Sequence, residues 1–398
     1  MIQVKLIGNI KEAEKELEAV GVGERGIELM APKAVCRVLK VYSVDVRAAC
    51  IIKQEMLSVG GEAAVSWGSL ERDATETDVL LMGSLKQYRR LINKLEEQPF
   101  GLRELACELN EVLSRIGSVP APIRVDEKLF DWRRTYVMGV INNTPDSFSG
   151  DGLGGDLDAV AGRARLMAES GVDVFDVGGE STRPGAQPVS VDEEQKRVLP
   201  VVELLLEKYS IPVCVDTYKL KVAKAALKAG VHMINDINGL RTKGMANLLA
   251  EYNVPVVLMH MQGTPENMQV NPSYDSVVDE LYRFFADRVE YALDAGIKKE
   301  NIILDPGIGF GKTLEHNLTL LRHLGEFKSL GLPLLVGASR KSFIGLLLDL
   351  PASKRLEGSL AAACTAIMHG ANIIRVHDVK ESIRAARVAD SLRQILPA

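Results

Sequence analysis

Asp216, Asn235 and Asp305 each follow a short apolar run, and this repetition is the chemically informative feature of the chain. A single Asp or Asn in such a place is best read as a helix cap. Three in turn, without a Cys/His cluster, suit hydrogen bonding to a flat nitrogenous ring, because a carboxylate can engage an NH/NH₂ pair bidentately. Metal ligation is the competing use, but these carboxylates have no histidine neighbour in sequence. Arg375 and His377 flank Val376, so in a strand both side chains leave on the same side. Joined by Asn142, they form a set suited to phosphate oxygens. Thr182-Arg183-Pro184 and Ser339-Arg340-Lys341-Ser342 add cations and hydroxyls, with Arg183 placed by its Gly and Pro neighbours on a mobile loop. Met259 offers a polarizable surface against a ring. His260 has the chemistry of a general base but no acidic partner in sequence, and Glu180 reads as a brace for its own loop.

Gly307-Ile-Gly-Phe-Gly-Lys-Thr313 superficially looks like a nucleotide-binding loop. Three residues separate Gly307 from Gly311 where a Walker A loop needs four, so that reading fails on spacing.

The elements that must position these residues follow from where they stand. Thr135–Asn142 leads into Asn143-Thr-Pro-Asp-Ser-Phe, and Val172–Gly178 into Gly179-Glu-Ser-Thr-Arg-Pro. Pro212–Val215 ends at Asp216, Met233–Ile234 at Asn235, Val254–Met259 at His260 and Ile302–Leu304 at Asp305. Leu334–Val336 ends at Gly337, and Ile373–Val376 carries Arg375. Continuous apolar runs separated by helical stretches read as buried parallel strands. Eight of them in alternation predict an α/β chain whose main body is a (β/α)₈ TIM barrel. In that fold the loops after the strands meet at one mouth, so the polar clusters should form a single site.

Between the strands, Ser190-Val-Asp-Glu193 has capping-box spacing, Asp216-Thr217 is placed to begin a helix, and Tyr274–Ala295 is the longest helical pattern. Glu381–Ile395 closes the chain as a helix. Residues 1–120 read differently, as a small α/β accessory domain without a chemical motif. There Met1–Ile7 alternates like a strand, Ile10–Val20 is helical, Val38–Val46 and Val79–Met82 are strand-like, and Val46–Met56, Leu85–Glu97 and Leu102–Ile116 are helical. Gly117–Pro122 breaks the periodicity as a linker, and the catalytic barrel is expected over residues 123–398. Its segment Leu129-Phe130-Asp131-Trp132 is expected to cover the barrel's bottom.

The net charge of −5 gives no support for nucleic-acid binding, so an anionic ligand needs locally placed cations. The five cysteines form no CxxC pair, and Cys214 reads as a small core residue. With no apolar run approaching the ~18 residues of a membrane span, and no signal-peptide pattern, a cytoplasmic protein with no membrane partner is expected.

Taken in order, MGVINNTPDSFSGDG, DVGGESTRPG, VDTYK, INDI, LDPGIGFGKT, GASRKSFIG and RVHDV resemble the dihydropteroate synthase family, one motif group per strand from about Thr135 to Lys380. The resemblance implies condensation of 6-hydroxymethyl-7,8-dihydropterin diphosphate with 4-aminobenzoate, using Mg²⁺, in a homodimer. It implies pterin contacts from Asp216, Asn235, Met259, Asp305 and Lys341, and diphosphate contacts from Asn142, Thr182, Arg183, Arg375 and His377. Asn142 matches the Mg²⁺ position, while Phe148, Pro184, Phe310, Lys341 and Ser342 border the aminobenzoate pocket. Asp216, Asp305, Lys341, Arg375 and His377 then carry the chemistry, by departure of diphosphate before attack of the amine. The chain departs from the family at Phe148-Ser-Gly150-Asp151-Gly, where many members read Ser-Asp-Gly-Gly, and in residues 1–120, which the shorter members lack. A pterin methyltransferase would share the barrel and the Asp/Asn contacts, but Ser339-Arg-Lys-Ser, Arg375-Val-His-Asp and the TPDSF loop argue against it. A non-catalytic pterin-binding protein would lose the anion-site residues, which are all present.

Overall fold

A computed structural model of the chain describes residues 1–71, 73–144, 156–181 and 187–395. Two compact units divide it: Met1–Ser118 with the C-terminal residues from Arg393, and Val119–Leu392.

In the first unit, β1 (Cys36–Asp45), β2 (Glu62–Val65) and β3 (Glu76–Ser84) form an antiparallel sheet in the order β1-β3-β2. Alternation along β3 buries Val79 and Leu81 and exposes Leu80. The buried face packs with Ile52 and Met56 of the helix Val46–Ser58 and with Leu91 and Leu95 of the helix Leu85–Leu95. Ser84 and Gln87 cap the latter reciprocally. Met1–Ile7, expected as a strand, forms none: Ile2, Val4 and Leu6 are exposed. An extended segment whose backbone groups find no partner strand gains nothing over coil in water.

The second unit opens with a hairpin, β4 (Ile123–Val125) and β5 (Lys128–Phe130). The eight expected strands follow as β6 (Tyr136–Asn142), β7 (Val174–Gly178), β8 (Val213–Asp216), β9 (Met233–Asp236), β10 (Val256–Met259), β11 (Ile302–Asp305), β12 (Leu335–Val336) and β13 (Ile373–Val376). They form a parallel sheet in the order β11-β10-β9-β8-β7-β6-β13-β12, and a bridge from Leu304 to Leu334 joins its two ends into a barrel. Both faces are buried. Outward residues such as Ile141, Phe175, Val177 and Val215 join the core under the surrounding helices. Inward ones, among them Met138, Val174, Cys214, Met233, Val257, Ile303 and Ile373, form an inner cluster. Phe130 and Trp132 complete that cluster from below, each packed on Tyr136, while Leu129 is exposed.

The helix Val191–Lys208 starts where expected, with the Ser190 side chain accepting from Glu193 N. The box is only half made, because Glu193 turns to Arg197. Asp216-Thr217 does not begin a helix: the next one is Leu220–Lys228, after Lys219. The Thr217 hydroxyl donates to Glu194, and Asp216 is drawn into the barrel by Arg375.

Candidate active site

The inner cluster fixes which residues reach the mouth, because every second residue of a strand faces the same way. Continuing it upward gives Asn142 on β6, Asp176 and Gly178 on β7, Asp216 on β8 and Asn235 on β9. Met259 on β10, Asp305 on β11 and Arg375 on β13 follow by the same parity. Register places Asn142, Gly178, Asp216 and Asn235 side by side, and Met259 beside Asp305. Short strands rich in branched side chains thus end in a ring of polar groups.

Arg375 crosses this interior and meets two carboxylates. Its Nε donates to Asp176 at 2.5 Å and its Nη2 to Asp216 at 2.8 Å. Asp176 is fully buried and was not singled out by sequence, since it stands as one charge inside an apolar run. Burial pushes the Asp216 carboxyl above the usual carboxylate range, opposed by Arg375 and reinforced by Asp176, Glu194 and Asp236. Arg375 moves the other way for an arginine: burial works against its charge, but Asp176 and Asp216 raise its pKa further. Burial sets the direction at Asp216, and the two carboxylates that share its guanidinium set the direction at Arg375.

Asp305 is 5 % exposed, and its Oδ1 accepts from Gly307 N at 2.8 Å. Burial raises its pKa, opposed first by Lys341. Lys341 donates to the Ile308 carbonyl, lies 4.4 Å from the Phe310 ring centroid, and is lowered by burial to about 8. Among the described residues, two buried oxygens here lack a hydrogen-bond partner, Asp176 Oδ1 and Asn235 Oδ1. Such groups normally carry a cost unless something donates to them.

The apolar wall beside these groups is Met259, Ile237, Met261 and Met268, with Tyr218 and Phe310 packed against them. His260 lies behind it. Its Nδ1 is 3.0 Å from the buried Lys312 Nζ, which also donates to the Phe310 carbonyl at 2.9 Å. Burial, with Lys312 and Arg241 close by, lowers His260 to about 2, so its ring is neutral and braces the wall rather than serving as a base for catalysis. Lys312 carries no signal of its own in the sequence, because it stands in a glycine-rich stretch far from His260.

At the rim, His377 Nδ1 lies 3.0 Å from Ser339 Oγ, and Ser342 is exposed at the start of the helix Ser342–Leu348. Arg340, expected among the rim cations, is instead held bidentately by Asp378. Glu180 does brace its loop, accepting from Tyr218 Oη, Lys219 Nζ and Val189 N. Phe148, Asp151, Thr182, Arg183 and Pro184 lie outside the described residues.

Asn142 ends its strand half-buried, and among the described residues its side-chain amide makes no hydrogen bond. A Cβ on Gly178 would stand 3.4 Å from Asn142 Oδ1, so the glycine keeps that oxygen open. No group of three or more His, Cys, Asp or Glu that could hold a metal occurs among the described residues.

A family model described as pterin binding enzyme matches residues 138–377. The dihydropteroate synthase of Escherichia coli K12 is 51% identical over 261 residues, 66% of this chain and 93% of the relative. A probable bifunctional folylpolyglutamate synthase/dihydropteroate synthase of Halobacterium salinarum is 41% identical over 387 residues, which is 97% of this chain but 46% of that protein. Among solved structures, Yersinia pestis dihydropteroate synthase with a sulfonamide drug complex superposes with a TM-score of 0.67 at 46% identity, covering 69% of this chain and 100% of that one.

Proposed function

We infer the chemistry of the mouth from one premise: this chain belongs to the pterin-binding enzymes and, among them, to the dihydropteroate synthases. It is a transferase that condenses 6-hydroxymethyl-7,8-dihydropterin diphosphate with 4-aminobenzoate, giving 7,8-dihydropteroate and diphosphate. Its ligands are small molecules of the pterin, aminobenzoate and sulfonamide kinds. The observation that carries the finer reading is the meeting of Asp216, Asn235 and Asp305 with Arg375 and Lys341 in one buried interior.

In this reading Asp216 and Asp305 accept from ring N–H groups, Asn235 offers its unpartnered oxygen, and Met259 supplies the flat apolar wall. Lys341 donates to a ring acceptor while Phe310, Lys341 and Ser342, with Phe148 and Pro184, border the aminobenzoate. Asn142 and His377 receive the diphosphate with Arg375 below it, and the family resemblance adds Thr182 and Arg183 to this role. Three carboxylates (Asp176, Asp216, Asp305) face two cations (Arg375, Lys341), so the interior favours a ring that gains positive charge. That supports breaking the C–O bond first: its electron pair leaves with diphosphate, and the methylene carbon becomes electron-poor. The arylamine lone pair then forms the C–N bond and the nitrogen loses a proton. Among the described residues no paired nucleophile and base calls for a covalent intermediate.

The residues present fit Mg²⁺. Asn142 offers a neutral, hard amide oxygen kept open by Gly178, and Mg²⁺ needs only one or two protein oxygens when water and substrate phosphate complete its shell. When bound, it neutralises charge on the departing diphosphate.

A homodimer is supported by Leu346, Leu347 and Leu348, three consecutive leucines exposed on one helix, a surface that favours cover by a second copy. We read the setting as cytoplasmic, without nucleic-acid or membrane partners; the net charge of −5 gives no support for nucleic-acid binding. No helix among the described residues is long and apolar enough to cross a membrane.

Purified protein given the pterin diphosphate, Mg²⁺ and 4-aminobenzoate should form dihydropteroate and diphosphate in equal amounts, and a sulfonamide should compete with 4-aminobenzoate. Absence of product would refute the reading. Inhibition indifferent to the aminobenzoate concentration would remove the pocket beside Lys341 and Ser342.

A further inference from the structure

Asp176 is the one acid in a row of four in-register barrel residues. Its in-register neighbours are Val140 on β6 and Cys214 on β8, and Met233 on β9 continues the row beside Cys214. All four are buried. Replacing one apolar side chain of a packed layer by a carboxylate brings a large desolvation cost, which fold stability alone does not call for. Cys214 beside it feels that charge: burial first, then Asp176, pushes its thiol pKa well up. One oxygen of Asp176, Oδ2, meets Arg375 Nε, and the other has no hydrogen-bond partner among the described residues. Arg375 reaches Asp176 from β13, with β6 lying between their strands. The contact therefore fixes where the guanidinium points inside the barrel. With Nε committed to Asp176, Nη2 comes to Asp216 Oδ2, and Asp216 Oδ1 accepts no hydrogen bond among the described residues.

We propose that Asp176 is a positioning residue for pterin recognition, acting through Arg375: it holds the guanidinium so that Arg375 and Asp216 form one preset acceptor edge for the ring. This rests on the ring site described above. A guanidinium paired to Asp216 alone would be free to swing toward the diphosphate at the rim, taking Asp216 with it. A second carboxylate one layer deeper anchors the cation and fixes Asp216 before the ring arrives. Preorganisation of this kind appears as affinity, because the ordering cost is met in folding.

The test is a double-mutant cycle on the full chain, with a diphosphate-free 6-hydroxymethylpterin as the titrant in calorimetry and circular dichroism to check folding. Asp176→Asn should weaken pterin binding by about tenfold, the cost of one lost charged hydrogen bond. Arg375→Gln should weaken it at least as much. The double variant should bind no worse than Arg375→Gln alone, since Asp176 then has nothing to position. Asp176→Glu keeps the charge but displaces it by one methylene, so it should fold and still lose affinity; this variant decides the matter should Asp176→Asn not fold. Wild-type affinity in the folded Asn or Glu variant would overturn the proposal. So would independent, multiplying losses in the double variant, which would make Asp176 a direct ligand of the ring. If the wild-type chain itself bound no pterin, the ring site would fall and this inference with it. Normal wild-type binding with unaffected variants would sink the inference alone.

Discussion

Lys341 carries the clearest pH signature. Burial lowers its pKa to about 8, from an ordinary value of 10.5, against the pull of Asp305. Its ammonium is lost as pH rises through that value, so kcat/KM should fall on the alkaline side of about 8. In Lys341→Arg the cation persists, and the alkaline limb should leave the accessible range even if turnover is reduced. A limb unmoved in that variant would assign it to another group. The same shift has a stability counterpart: the folded chain releases this proton before the unfolded chain does, so the burial penalty is relieved as pH rises above about 8. Asp305→Asn should weaken a diphosphate-free pterin by about 1–3 kcal/mol, because a buried acceptor becomes a mismatched amide. Calorimetry checks this, and unchanged affinity would take Asp305 out of the ring site. His377→Ala should weaken diphosphate while sparing the diphosphate-free pterin, because His377 meets Ser339 at the rim rather than the deep carboxylates. The sequence treated Arg375 as its equal, but the guanidinium holds Asp176 and Asp216, so Arg375→Ala should weaken both ligands in the same titrations. Residues at strand ends were legible because a polar group closing an apolar run stands out. Asp176 was not, since its meaning depends on Arg375, 199 positions away in the chain.

The turn Gly307-Ile-Gly-Phe-Gly shows how a loop element builds the wall. Gly307 has φ +63°, and a Cβ there would lie 2.0 Å from the His260 carbonyl oxygen. Only a glycine lets this loop close against the end of β10 and present Phe310 beside Lys341. Gly307→Ala should therefore lower stability by more than about 2 kcal/mol, combining left-handed strain with a backbone clash. Denaturant unfolding measures it, and an unchanged midpoint would contradict the packing described. The eight barrel strands were readable because burial on both faces leaves continuous apolar runs of strand length. Elements whose signal was weaker or mixed were not. The helix Glu24–Ala34 contains Pro32, a residue that argues against a helix interior, yet the chain continues through it and buries the ring. The strand β2 is four residues long and exposes Glu62 and Ala64, too short to show a period. At Met1–Ile7 the reverse held, with alternation present but no strand to pair with.

At the scale of the whole molecule, Val119–Leu392 contains every described residue assigned to the site. The Escherichia coli relative is matched over 93% of its length by 261 residues, so a chain scarcely longer than that is sufficient there. The Halobacterium salinarum relative is matched along 97% of this chain, so the N-terminal unit has counterparts in that lineage of longer proteins. Its sequence revealed sheet and helices but no task, because a domain lacking a polar cluster offers packing signals alone. The hairpin at Ile123–Phe130 and Trp132 closes the bottom of the barrel and must be kept in any dissection. We propose that residues 1–120 are accessory to the chemistry. The decisive measurement is the turnover of a fragment beginning at Ile123, shown by circular dichroism to be folded, with the pterin diphosphate, Mg²⁺ and 4-aminobenzoate. The fragment should form dihydropteroate and diphosphate in equal amounts, at a rate near that of the full chain. A folded fragment that makes neither product would contradict it, since the working site would then extend beyond the barrel.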